Sequence, residues 1–143
     1  MTWTIDGLGA CEPVDAPDGL RCWRRETPVE PPLHIVVDPD EDGDDVDTTH
    51  AARVAGSLPE LLLVAERAVR EAVAEDPARF EAFDSDVPLD LDAPEITLWT
   101  KRRWMVRFAD CALPAASVLG VAVEFVDTNP VDVYPLDDAA AVD

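Results

Sequence analysis

Lysine is almost missing from this sequence. Lys101 is the single Lys among 11 basic residues, which stand against 31 Asp and Glu and leave a formal net charge of −20 at pH 7. A surface with this charge repels nucleic acid and anionic membranes and attracts basic proteins. The imbalance therefore argues against direct binding of nucleic acid or of a membrane. Two causes that need no specific partner stay open, a GC-rich genome that favours Arg, Asp, Ala and Pro, and an organism adapted to salt.

Cysteine and histidine are also scarce, with three Cys and two His in 143 residues. Cys11, Cys22 and Cys111 form no CxxC pair, which argues against the usual zinc and dithiol motifs. No GxSxG, HExxH or P-loop pattern accompanies His34 or His50. We therefore expect no cofactor and no enzymatic activity.

Long apolar runs are absent as well. The longest apolar stretch, LPELLLVA, is far shorter than a membrane span. The first residues, MTWTIDGLGACEP, lack the basic region and apolar run of a signal peptide. We expect a cytoplasmic protein with reduced cysteines.

What the sequence does contain suits a folded domain, since 48% of its residues are hydrophobic. Alternation of apolar and polar residues predicts seven strands. These strands lie at residues 2–6, 20–25, 33–37, 95–99, 103–109, 119–126 and 131–136. The segment 7–19, which is rich in Gly, Pro and Asp, is predicted as a loop.

The middle of the chain is predicted to be helical. Thr49–Gly56 suggests a short helix that ends at its glycine. A longer helix follows, with Ser57 as N-cap and Glu60 three residues later as the partner in a capping box. Its apolar residues recur at helical spacing, at Leu58, Leu61, Leu62, Ala65, Ala68, Val69 and Ala72.

These elements predict one α+β domain over residues 1–143. Consecutive strands with short connections favour an antiparallel sheet, which we expect to have about five to seven strands. The central helical segment should pack on one face of that sheet, in the order three strands, two or three helices, four strands. Residues 38–48 are predicted as an acidic loop and residues 136–143 as a frayed tail.

The acidic loop begins like a calcium-binding loop. Asp38, Asp40 and Asp42 alternate and are followed by Gly43, as in the first half of an EF-hand loop. The second half does not fit, because Thr49 occupies the twelfth position, where a bidentate Glu normally lies. We expect no metal site here. If a metal were bound, its ligands would be Asp38, Asp40, Asp42 and Asp44.

One basic cluster interrupts the acidic sequence, and it comprises Lys101, Arg102, Arg103 and Arg107. In a chain of charge −20 we expect this cluster to pair with the protein's own acids, or with an acidic patch on a partner.

A family resemblance comes from the segments HAARVAGSLPELLLVAERAVREAVAEDPARF, PEITLWTKRRWMVRFAD and GVAVEFVDTNPVDVYPL. Over residues 48–135 they resemble small bacterial immunity proteins, the partners of polymorphic toxins. Those proteins combine a helical segment with strands that end in a GVAVEF-type hairpin. The resemblance implies stoichiometric binding of a toxin and carries over no catalytic residue.

The charge and the resemblance together predict an acidic protein-binding module, an immunity or antitoxin-like inhibitor of a basic toxin or nuclease. A generic acidic domain and a nucleic-acid mimic are the alternatives. The sequence does not indicate the oligomeric state. The first candidate contacts are Asp40, Glu41, Asp42, Asp44, Asp45 and Asp47, and the second are Asp84, Asp86, Asp90 and Asp92.

Overall fold

Eight strands form one continuous sheet. The computed structural model describes residues 3–5, 8–16, 19–26, 31–42, 45–81, 89–116 and 118–136, so the predicted frayed tail lies outside the described residues beyond its first position. The strands are β1 (Trp3–Ile5), β2 (Gly9–Val14), β3 (Arg21–Arg25), β4 (Leu33–Val37), β5 (Asp92–Leu98), β6 (Arg103–Asp110), β7 (Val121–Val126) and β8 (Asn129–Pro135). Two helices, α1 (Thr48–Gly56) and α2 (Leu58–Glu75), connect β4 to β5.

The strands lie in the sheet in the order of the sequence, from β1 to β8. Every neighbouring pair is antiparallel except β4 and β5, which are parallel. The fold is therefore α+β, but the expected sheet of five to seven antiparallel strands is wrong. The helical connection causes the parallel pair, because it returns the chain to the end of the sheet where β4 began.

The strand missed by the sequence pattern is β2, which lies inside the predicted loop 7–19. Its glycine and proline caused the error, although the proline fits its place in the sheet. Pro13 pairs with Trp23 of β3, whereas β1 pairs only with residues 9–11. The Glu26 N–H donates to the Ala10 carbonyl, and alternation along the pair then directs the backbone of Pro13 away from β3, so its missing N–H breaks no ladder bond to β3.

One face of the sheet carries the hydrophobic core. On the central strands every second side chain is buried, as Leu33, Ile35 and Val37 of β4 show. The indole of Trp104 is fully buried and stacks on Phe125, with ring centroids 4.2 Å apart. The other large core side chains on this face include Ile96, Leu98, Val106, Phe108, Val121 and Val123.

Helix α2 covers this face with Leu58, Leu61, Ala65 and Val69, which are all buried at helical spacing. The expected capping box does not form, because the Ser57 side chain makes no cap hydrogen bond. Its backbone is not extended as an N-cap normally is, and its N–H donates to carbonyls of α1 instead. Within the described residues no helix is long and apolar enough to cross a membrane.

The opposite face of the sheet carries polar residues in cross-strand rows. Arg24, His34 and Thr97 follow one another across β3, β4 and β5. Ion pairs within the face join Glu12 to Arg24 at 2.6 Å and Glu95 to Arg107 at 3.0 Å. This face therefore neutralises much of its own charge.

Gly120 allows the tight entry into β7. Its φ is +91°, and a Cβ atom there would lie 2.2 Å from the carbonyl oxygen of Phe108. Gly56, at the end of α1, has no atom within 4 Å of the corresponding position. The two glycines therefore offer a matched pair for substitution.

We expect Gly120→Ala to lower the free energy of unfolding by more than about 2 kcal/mol, because the strain of a positive φ adds to a clash with backbone. Gly56→Ala should raise it by up to about 1 kcal/mol, because alanine loses less entropy in a helix. Urea denaturation of both variants measures the difference. Equal midpoints would contradict this interpretation of Gly120.

Candidate functional site

The acidic loop meets Arg102 and Arg103 of the basic cluster at one end of the sheet. Residues 38–47 follow the carboxyl end of β4 directly. Because β5 runs parallel to β4, its carboxyl end and the turn Thr100–Arg102 lie at that same end. The expectation that the basic cluster pairs with the protein's own acids is confirmed for Arg102, Arg103 and Arg107.

Glu41 holds the loop against the turn. Its carboxylate accepts a hydrogen bond from the buried hydroxyl of Thr100 and lies 3.9 Å from the Arg103 guanidinium. The hydrogen bond from Thr100 is the largest cause that lowers the pKa of Glu41. A hydrogen bond between the Asp38 and Glu41 side chains raises the pKa of Asp38. The main-chain oxygen of Glu41 accepts from Arg21 at 2.6 Å.

Asp47 makes a second link while it caps helix α1. One carboxylate oxygen accepts from the backbone N–H of His50 at 2.9 Å, and the other accepts from Arg102 Nε at 2.9 Å. The N-cap bond, followed by the bond from Arg102, lowers the pKa of Asp47. The same bond from Asp47 is the first cause that raises the pKa of Arg102.

Asp127 lies in the turn between β7 and β8 and contacts the turn between β5 and β6. Its carboxylate lies 3.5 Å from Arg102 Nη1, and its N–H donates to the Arg102 carbonyl at 3.0 Å. Its carbonyl accepts from the indole N–H of Trp104 and lies 3.4 Å from His50 Nε2. Lys101 and Arg102 both have φ near +59°, as a two-residue type I′ turn requires. The contacts of Arg102 therefore stabilise a turn that normally prefers Asn and Gly.

The structure divides the first group of predicted contacts. Glu41 and Asp47 are used within the chain, as described above. Asp40, Asp42 and Asp45 are exposed, and an Asp45 carboxylate oxygen accepts from the Asp42 N–H at 3.2 Å. The predicted contacts Asp44, Asp84 and Asp86 lie outside the described residues.

The two described members of the second group lie at the other end of the sheet. Asp90 and Asp92 are exposed and precede or begin β5, whose carboxyl end faces the acidic loop. β5 has seven residues, so these acids are about 20 Å from that loop at roughly 3.3 Å per residue. The described acids of the two predicted groups therefore do not form one surface.

The calcium hypothesis gains no support from the geometry. Within the described part of the chain, no three His, Cys, Asp or Glu side chains are grouped to hold a metal ion. Of the four ligands named above, Asp38 shares a hydrogen bond with Glu41, and Asp44 is not among the described residues, nor is Gly43.

A groove of about 440 Å³ lies between the second half of α2 and β8. We call this feature the α2–β8 groove, and it is lined by Ala68, Glu71, Ala72, Glu75, Asp76, Arg79, Phe80 and residues 130–133. Sequence reasoning missed it because Ala68 and Ala72 were expected on the apolar face of α2. They are half-buried, and their small side chains leave space in the second half of α2, whereas the larger Leu58 and Leu61 are buried near its start.

Compared with protein-family models, with curated proteins and with solved structures, the chain shows no match.

We expect Asp47→Asn to weaken the fold at neutral pH and not in acid. An ionised carboxylate with a lowered pKa contributes stability above its unfolded pKa of about 4, and the contribution disappears as the pH falls through the folded value. Asparagine still accepts the N-cap bond. Urea denaturation from about pH 7 to pH 3 should show the two chains converging below about pH 4.

The double-mutant cycle with Arg102→Gln is the control. Asp47→Asn should cost less in that background, because one of its two partners has already been removed. An undiminished difference between wild type and Asp47→Asn at about pH 3 would contradict the assignment.

Proposed function

We propose that this chain is an acidic protein-binding module, an immunity or antitoxin-like protein that inhibits a basic toxin or nuclease by one-to-one binding. The setting that fits its cysteines and charge is the cytoplasm, where such an inhibitor would protect the cell that makes the toxin. The role we assign is binding and not catalysis.

The observation that carries the proposal is the internal neutralisation of the basic cluster. Arg102, Arg103 and Arg107 each face a carboxylate of the same chain. Three of the four residues of the basic cluster are thus paired within the chain, while the net charge stays at −20. The charge offered to a partner is overwhelmingly negative, and a negative surface accelerates association with a basic protein.

Acids from several elements contribute to that surface. Exposed Asp and Glu occur in the acidic loop, along α2, before β5 and in β8. The loop acids that remain exposed, Asp40, Asp42 and Asp45, keep their place as candidate contacts. They would act mainly by attracting the partner, because an ion pair between exposed side chains adds little to the affinity of a complex.

The resemblance over residues 48–135 supports the same class of partner. The segments that carry it correspond to both helices and to β5–β8. The acidic loop and β1–β4 precede it, so they would distinguish this chain from the proteins it resembles.

We expect the purified chain to bind the basic C-terminal domain of a toxin encoded next to its own gene. Isothermal titration calorimetry should give a stoichiometry of one. Affinity should fall at least about tenfold between low and moderate salt, because screening weakens attraction between opposite charges. The chain should also abolish the toxin's activity at an equimolar ratio.

The control is an acidic protein of similar size and unrelated fold, which should neither bind with this stoichiometry nor inhibit. Absence of binding by that domain at low salt, where the attraction is strongest, would contradict the proposal.

A further inference from the structure

The α2–β8 groove combines an apolar floor with an acidic rim. Ala68 and Ala72 of α2 and the buried ring of Phe80 provide the floor. Val131, which is 59% exposed, lies on the other wall where β8 departs from regular pairing. The volume of the groove, about 440 Å³, is in the range of sites that hold a ligand or several side chains.

The rim is asymmetric in charge. Glu71, Glu75, Asp76 and Asp132 line the groove, against the single cation of Arg79. Arg79 lies over the Phe80 ring, 5.9 Å from its centroid, and its backbone N–H is bound by the Asp76 side chain. The excess negative charge of the rim favours a cationic occupant whose alkyl part can cover the alanines. Lys and Arg side chains pack in this way, with the alkyl chain on an apolar surface and the charged group in solvent.

The neighbouring sheet edge is closed to backbone pairing. Leu136 N–H donates to the Gly120 carbonyl, and alternation along an antiparallel pair then directs the backbone groups of Val133 and Pro135 away from β7. Pro135 has no N–H, and the Val133 N–H is bound by the Asp132 carboxylate at 2.9 Å. Pro130 also lacks a donor. These are the devices that prevent strand addition, so an occupant would bind by its side chains.

We propose that the α2–β8 groove is a docking site for a basic segment of a partner protein, which inserts one or two Arg or Lys side chains between α2 and β8. The inference rests on the proposed function, because it specifies where the basic partner is held. The groove supplies the short-range contacts, while the acidic loop attracts the partner from a distance.

Titration of the full chain with tri-arginine amide, followed by nitrogen-15 NMR, tests the site without a natural partner. Shifts should be saturable and should concentrate in residues 68–76 and 131–133. In the variant Glu71→Gln with Glu75→Gln, the affinity should fall at least about fivefold, because two of the rim carboxylates are lost. Tri-serine amide, which has no cationic side chain, should cause no such shifts.

The matched control is Asp40→Asn with Asp45→Asn, which removes the same charge from the acidic loop. This variant should lower the affinity for the peptide by less than about twofold, because the loop acids act only through screened long-range attraction. An equal loss of affinity in both double variants would overturn the proposal that the groove is the docking site. Chemical-shift changes spread over the acidic surface or concentrated in the loop would overturn it too.

Ala72→Lys gives an independent arm, because it supplies the groove with a cation from the chain itself. Lysine is a good helix former, and the urea midpoint shows whether the fold is kept. The peptide should then lose affinity at least about fivefold. If the folded Ala72→Lys variant bound the peptide with unchanged affinity, the proposal that the groove is the docking site would be overturned. If a toxin domain still bound normally to this variant, the proposed function would stand without the site.

Discussion

The parallel pairing of β4 with β5 is the constraint on which the rest of this structure depends. Seven strand pairs build the sheet, and this is the one that a hairpin cannot make. It requires a crossover, which the two helices supply, and it places the exit from β4 beside the turn between β5 and β6. The acids of the loop and the cations of the turn therefore meet because of topology, although they are far apart in sequence.

This arrangement gives the acidic loop two kinds of residue. Glu41 and Asp47 face inward and are held by Thr100, by Arg102 and by the first turn of α1. Asp40 and Asp45 face solvent, where charge acts at long range but contributes little to a specific contact. Some acids of a loop that looks uniform in sequence thus hold the loop against the fold, and others contribute an electrostatic field to the surface.

Much of the fold could be predicted from local pattern. Strand β4 has the bounds that alternation indicates, and the buried side chains of α2 follow its helical spacing. β2 was missed because Pro13 suggests a break, whereas the proline is tolerated because its backbone points away from β3. The parallel pair was missed because single strands do not encode their neighbours. The α2–β8 groove joins segments about sixty residues apart, so only the sheet order could bring Ala72 and Val133 together.

The edge of β8 offers few backbone donors to another strand, which disfavours the pairing of identical chains through their sheet edges. Edge strands with available donors let identical chains pair into open assemblies, whereas this edge has two prolines and a carboxylate-bound N–H. The opposite edge strand, β1, has three residues in the described part of the chain. With a net charge of −20, two copies of the chain also repel each other electrostatically. The chemistry of the β8 edge and the net charge therefore both oppose edge-to-edge pairing of identical chains.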